Sequence, residues 1–197
     1  MIDAIHAALR QADADDQVRV IVITSALPAM FCGGMDLKMI ARGNCLDLRA
    51  FVYKFYMETM DIQYRLTKPT IAVVNGPARG AGMTLSITCD MIIAADDIDL
   101  GYPEIDVGVI PAIHYVHLPR QISRHKAFEL LFTGAPIPAR EAEQLGIINH
   151  AVPRDELMPR AIALARVLAA KSPTIMALAR ASYLRANDLD YRRNVEN

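Results

Sequence analysis

Apolar residues recur at three- and four-residue intervals over 2–14 (Ile2, Ile5, Leu9, Ala12), the spacing of a helix with one apolar stripe. The pattern then changes. VRVIVIT (18–24) is β-branched and almost free of polar residues, as expected of a parallel strand covered on both faces, and TIAVVN (70–75) reads the same way. Between them, DLRAFVYKFYMETMDIQYRLT (47–67) is spaced like one long helix and closed by Lys68-Pro69, which predicts a strand, helix, strand unit with a right-handed crossover. A second unit follows: TIAVVN, a Gly-rich turn, a short helix MTLSIT (83–88), and a strand DMIIAA (90–95). Every residue of that short helix is small or apolar, so it belongs in the centre of the domain.

The second half has a different texture. HKAFELLFTG (125–134) and PAREAEQLG (138–146) are helices stopped by Gly134 and Gly146. IINHAV (147–152) is a short strand or extended segment. Two long helices close the chain, 155–171 and 172–188, the second with Ser172 as N-cap and Pro173 at its first position. No internal repeat, low-complexity tract or interdomain linker interrupts the pattern.

The 197 residues, 53% of them hydrophobic, suffice for one α/β domain with a substantial core. Twenty-one Lys and Arg nearly balance 22 Asp and Glu, so no overall field draws nucleic acid or an anionic membrane to the surface. Cys32, Cys45 and Cys89 form no CxxC pair, and their odd number with no signal peptide implies reduced thiols and a cytoplasmic setting. Apolar runs break well before the ~20 residues of a membrane span, so a soluble protein is expected.

Two turns carry candidate chemistry. In FCGGMDLKMI (31–40), two glycines permit a tight turn, Asp36 is placed to cap the helix that follows, and the Met35 amide points outward at the positive end of that helix. In NGPARGAGMTL (75–85), Gly80 and Gly82 leave room for a ligand to approach the Ala81 amide. Two such amides on neighbouring strands would polarise one carbonyl oxygen where negative charge develops, an arrangement in which one donor is worth ~3–4 kcal/mol. Either turn taken alone also fits an ordinary strand-to-helix connection. Glu104, in GYPEIDVGV after Pro103, sits among apolar residues that would raise its pKa and suit a proton carrier; the alternative is a surface-loop carboxylate.

VRVIVIT…FCGGMDLKMI, KPTIAVVNGPARGAGMTLSITCDMIIAADD, YPEIDVGVIP and FTGAPIPAREAEQLGIINHAVP, in this order, resemble the enoyl-CoA hydratase/isomerase (crotonase) superfamily over nearly the whole chain. The resemblance implies an α/β fold, a spiral of ββα units over 1–152 followed by a C-terminal helical region over 153–197, assembled as homotrimers or hexamers. Both ends are shorter than is usual in the family. The resemblance also implies that the Met35 and Ala81 amides bind a thioester oxygen and that Asp36, Leu37 and Lys38 contact coenzyme A. It makes Glu104 a catalytic carboxylate. Coenzyme A is then part of an acyl-CoA substrate, and no separate cofactor is implied.

Two departures bear on the reaction. Hydratases of the family carry a second glutamate three residues beyond the second amide donor, where this chain has Thr84, whose hydroxyl cannot act as a carboxylate base. In IPAIHYVHLPR (110–120), after Pro111, Ile113, His114 and Tyr115 stand where many members are small, so Thr84, Pro111 and His114 are expected against the acyl group. Double-bond isomerisation needs one base only and is the first expectation. Alternatives are a hydratase or hydrolase in which Thr84 or His114 orients water, and a catalytically silent CoA-binding paralogue. The three-residue spacing of His114 and His117 lacks a third metal ligand. The basic run RQISRHK (120–126) reads as a solvated helix face rather than a nucleic-acid surface. Arg79 is a weaker candidate partner for phosphate or carboxylate, and Asp106 reads as structural.

Overall fold

A computed structural model describes residues 1–38 and 44–188. Helix α1 (Ile2–Ala14) packs its Leu9 side against Ile21, Ile62 and Leu66. The first strand is shorter than its apolar run: β1 spans Ile21–Thr24, and 18–20 lead into it. It pairs in parallel with β2 (Thr70–Val74), which pairs with β4 (Met91–Ala95), which pairs with β7 (His150–Val152). All five β2 residues are buried, as a strand covered on both faces requires.

A second, smaller sheet lies outside the sequence expectation. It contains β3 (Ala78–Arg79), β5 (Asp99–Gly101) and β6 (Ile137–Pro138), and an isolated parallel bridge joins Cys32 to Ala78. Each turn of chain therefore gives one strand to the large sheet and one short stretch to the small sheet: β1 then Cys32, β2 then β3, β4 then β5. This is the spiral of ββα units that the resemblance implies. Segments of two or three residues carry too little periodicity to be read from sequence.

The predicted long helix over 47–67 divides. Helix α2 (Cys45–Val52) starts in a capping box, in which the Asn44 side chain accepts from the Leu46 and Asp47 amides and Asp47 accepts from the Asn44 amide. A π-helical stretch, Tyr53–Glu58, follows, and then α3 (Thr59–Arg65). The wider turn resets the register of the helix face and brings Phe55 inward. Helix α4 (Ala81–Ile87) is buried from Gly82 to Ile87, at the centre of the core. The expected helix after Asp36 begins at Leu37 and Lys38, and its continuation lies outside the described residues.

Two further elements, to which the sequence reading assigned no secondary structure, follow β5. A 3-10 helix, Pro103–Val107, ends at Gly108 in the left-handed region (φ 72°), and α5 (Ala112–Gln121) starts after Pro111. Helices α6 (Arg124–Thr133, capped by Ser123) and α7 (Ala139–Gln144) follow. The 3-10 helix packs closely on the end of α6, where a Cβ at Gly134 would come within 2.5 Å of Asp106 Oδ2.

Helix α8 (Arg154–Ala169) covers the large sheet at β2 and β4, and α9 (Pro173–Asp188) packs against α3. Leu157 and Ala161 join the main core. Arg180 on α9, 7% exposed, donates to Asp90 Oδ2 at 2.9 Å and to the carbonyls of Gln63 (2.7 Å) and Leu66 (2.6 Å). Asp90 in turn accepts from the amide and hydroxyl of Thr70 at the start of β2. The buried charge is thus paired and hydrogen-bonded, as burial demands. Ile162, Val167, Ile175, Leu178 and Tyr183 on the same two helices remain exposed. No single helix among the described residues is long and apolar enough to cross a membrane.

Candidate active site

The two glycine turns are stitched together by backbone. The amides of Phe31 and Cys32 donate to Pro77 O (3.2 and 3.3 Å), and the Arg79 amide donates to Cys32 O at 2.9 Å. Gly82 is required there, because a Cβ on it would lie 2.4 Å from Cys32 O. Gly34, at φ 102°, presents its backbone 3.8 Å (measured from the Cβ it lacks) from the Ala81 nitrogen. Ala81 opens α4, where first-turn amides have no carbonyl four residues back to accept from them.

The turns open onto a cavity of about 350 Å³. Met35, Leu37 and Ala81 line it on the side of the two turns, and Phe51, Phe55 and Tyr56 come from α2 and the π-helix. Val107, Val109 and Ile110 complete the lining, and Glu104 joins it from against the second turn, at Gly80. Mostly apolar walls with one carboxylate and two glycine turns are what a thioester site needs. The aromatic wall was missed in the sequence, although FVYKFY (51–56) was its signal.

Glu104 owes its position to the 3-10 helix. Pro103 sets the first residue, and the Val109 amide donates to Glu104 O at 2.9 Å. The turn before Ala81 is tied to the same region by the Gly80 amide donating to Gly101 O at 3.1 Å. The Glu104 side chain is 10% exposed, neither carboxylate oxygen has a hydrogen-bond partner, and burial holds its pKa above the ordinary carboxylate value. Such a group takes up a proton more readily than a surface carboxylate. The cavity lining holds no second carboxylate among the described residues.

Thr84, Pro111 and His114, expected against the acyl group, do not line the cavity. Thr84 and His114 are fully buried behind Glu104, with Thr84 Oγ1 3.2 Å from His114 Nε2 and Glu104 Oε1 3.9 Å from that same nitrogen. The His114 ring meets the face of Tyr102 edge-on, and burial pushes its pKa down to about 3. Pro111 begins α5 and accepts the His114 amide at 2.9 Å. Asp36 and Lys38 are exposed at the rim, where Asp36 Oδ1 accepts the Lys38 amide at 2.9 Å and caps the short helical start.

The remaining candidates have other work. Arg79 lines the cavity, but its guanidinium bonds Asp99 O (2.9 Å) and Asp99 Oδ1 (2.6 Å), clamping β3 to β5. Lys126 in the basic run is paired with Glu129 and Glu141. Among the described residues no group of three His, Cys, Asp or Glu side chains is arranged to hold a metal. Cys89 is buried and its thiol pushed up to about 12, which makes it inert.

A family model for enoyl-CoA hydratase/isomerase matches residues 1–196. The chain is 33% identical over 184 residues to mouse enoyl-CoA hydratase domain-containing protein 3, mitochondrial, covering 93% of this chain and 61% of that protein. The crystal structure of enoyl-CoA hydratase from Bacillus anthracis superimposes with a TM-score of 0.92 at 33% identity, over 99% of this chain and 76% of that one. That from Mycobacterium smegmatis gives 0.92 at 30% identity, over 100% and 76%.

Proposed function

The chain belongs to the enoyl-CoA hydratase/isomerase family, and on that premise we propose that it shifts the double bond of an acyl-CoA thioester with Glu104 as its single proton carrier. The Met35 and Ala81 amides hold the thioester oxygen. The Glu104 carboxylate removes a proton from C2 of a 3-enoyl thioester, and the electron pair spreads into a dienolate whose charge rests on that oxygen. Glu104 then returns the proton at C4, and the double bond closes between C2 and C3. Coenzyme A enters and leaves as part of the substrate.

The observation that carries this reading is the one carboxylate that lines the cavity among the described residues, desolvated and without a hydrogen-bond partner, beside the glycine turns. Hydration is the second reading, favoured by the relatives' names. It asks two groups to hold and deprotonate one water. In this chain the Thr84 hydroxyl is 3.4 Å from Gly80 O and 3.2 Å from His114, and it has no face on the cavity. We also propose a homo-oligomer, which would cover the exposed apolar residues of α8 and α9. Mass spectrometry of 2-enoyl, 3-enoyl and cyclic acyl-CoA thioesters after incubation separates the readings: isomerisation leaves the mass unchanged, hydration adds a water, and hydrolysis releases free CoA. Turnover of 2-enoyl thioesters to the hydrated product alone would replace the first reading by the second.

A further inference from the structure

The polar atoms behind Glu104 form an unfinished network. Both Glu104 oxygens lack a hydrogen bond, and so does His114 Nδ1. A neutral imidazole carries one N–H. On the Nε2 side of His114 stand Thr84 Oγ1 at 3.2 Å and Glu104 Oε1 at 3.9 Å. Nδ1 faces no partner, so the hydrogen-bond network assigns the N–H to Nε2. Thr84 Oγ1 can accept it because its own hydrogen is directed at Gly80 O, 3.4 Å away.

We infer that the Nε2–H of His114 is a two-position donor, bonded to Thr84 while Glu104 is protonated and to the Glu104 carboxylate when Glu104 is ionised. His114 is then a positioning residue for the proton carrier, and this rests on the role proposed for Glu104. The structure holds the first position. A movement of about 1 Å closes the Glu104 contact to an ordinary N–H···O length. The exchange costs little, since one acceptor replaces another, and it favours ionised Glu104 before proton removal and frees the acid afterwards. His114 keeps one charge state throughout, because burial prevents its protonation near neutrality.

Other titratable groups face this pair without supplying the donor. Tyr56 from the π-helix and Tyr102 before the 3-10 helix both have their phenols raised, chiefly by burial and further by Glu104. His117, on α5 with His114, is held down by burial and by Arg120. Arg79 is tied to Asp99.

The test is a ¹³C NMR titration of the full chain labelled at glutamate carboxyls, with Glu104→Gln assigning the signal. Removing the donor by His114→Leu should raise the Glu104 pKa by about one unit, as expected for one hydrogen bond to a charged group. His114→Gln, which restores an N–H, should recover most of the shift. Thr84→Val, which removes the competing acceptor, should lower it. The acid limb of kcat/KM should move with the titration. If His114→Leu does not fold, the downward shift in Thr84→Val, with a Glu104 titration in His114→Gln close to that of the parent, still decides. An unmoved Glu104 titration, or shifts of the same sign in the Leu and Val variants, would overturn the inference. The titration needs no turnover: shifts of opposite sign in an enzyme inert to enoyl-CoA support the donor exchange while sinking the proposed reaction, and a flat titration with turnover lost in Glu104→Gln does the reverse.

Discussion

Glu104 Oε1 stands against Gly80, so closely that a Cβ on the glycine would lie 3.3 Å from it, in backbone at φ 49°. The turn that presents the Ala81 amide therefore also forms the floor beneath the carboxylate. Gly80→Ala should cost about 1–3 kcal/mol for backbone in this region, and turnover per folded molecule should fall as well because the methyl displaces Glu104. Urea titration paired with activity checks this. A variant that loses stability while keeping full activity would show that the contact has no bearing on the site.

Burial raises the Glu104 pKa above its ordinary 4.5 in the folded state. The folded protein therefore favours the protonated acid, a contribution fully present below the unfolded pKa and lost as pH rises through the folded value. Glu104→Gln, which carries no charge to desolvate, should melt higher than the parent chain at neutral pH, with the difference fading below pH 4.5. For the parent, kcat/KM should drop as pH falls through the raised folded pKa. Melting temperatures that differ equally at all pH values would argue against a desolvated carboxylate.

Sequence periodicity revealed the large sheet and most of the helices, because TIAVVN and DMIIAA are continuous apolar runs and 155–188 keeps helical spacing. The small sheet stayed hidden because β3 and β6 have two residues each, held by pairing partners distant in the chain. The π-helix stayed hidden too, since nothing in YKFYME distinguishes it from α-helix. Met35, Ala81 and Glu104 line one cavity, and the sequence pointed to them through two glycine turns, the apolar neighbours of Glu104 and the family resemblance. His114 was legible as a departure, but its place behind Glu104 depends on α5 starting at Ala112, an element the sequence reading did not assign.

Thr84 and His114 are fully buried against each other behind Glu104 and leave no open space at position 84. Thr84→Glu alone should destabilise the chain by about 3 kcal/mol or more, because it forces an unpaired charge into a full site. Adding His114→Ala should recover part of that loss and bring out hydration of 2-enoyl-CoA. Thermal melts and mass spectrometry of the single and double variants test it. A well-folded double variant with no hydration would mean that a carboxylate at 84 does not reach the substrate.

Arg180 fastens α9 to the end of α3 through two carbonyls and to the start of β4 through Asp90. Arg180→Met should cost about 3–5 kcal/mol, since it leaves Asp90 without its counter-ion and two carbonyls without a donor. Activity per folded molecule should persist, as this contact lies away from the cavity. Chemical denaturation measures the loss, and a change below about 1 kcal/mol, the range of exposed pairs, would show that the pair behaves as a surface one.

The central claim, one proton carrier working on a thioester held by two amides, is tested most directly by incubating a 3-enoyl-CoA in D₂O and reading position and mass of the product. The account predicts a 2-enoyl-CoA in which part of the C4 hydrogen comes from C2 of the same molecule, because a buried Glu104 returns what it removes before exchange is complete. It also predicts a 10²- to 10⁴-fold slower reaction in Glu104→Gln. A product that has gained the elements of D₂O, formed equally fast by Glu104→Gln, would contradict it.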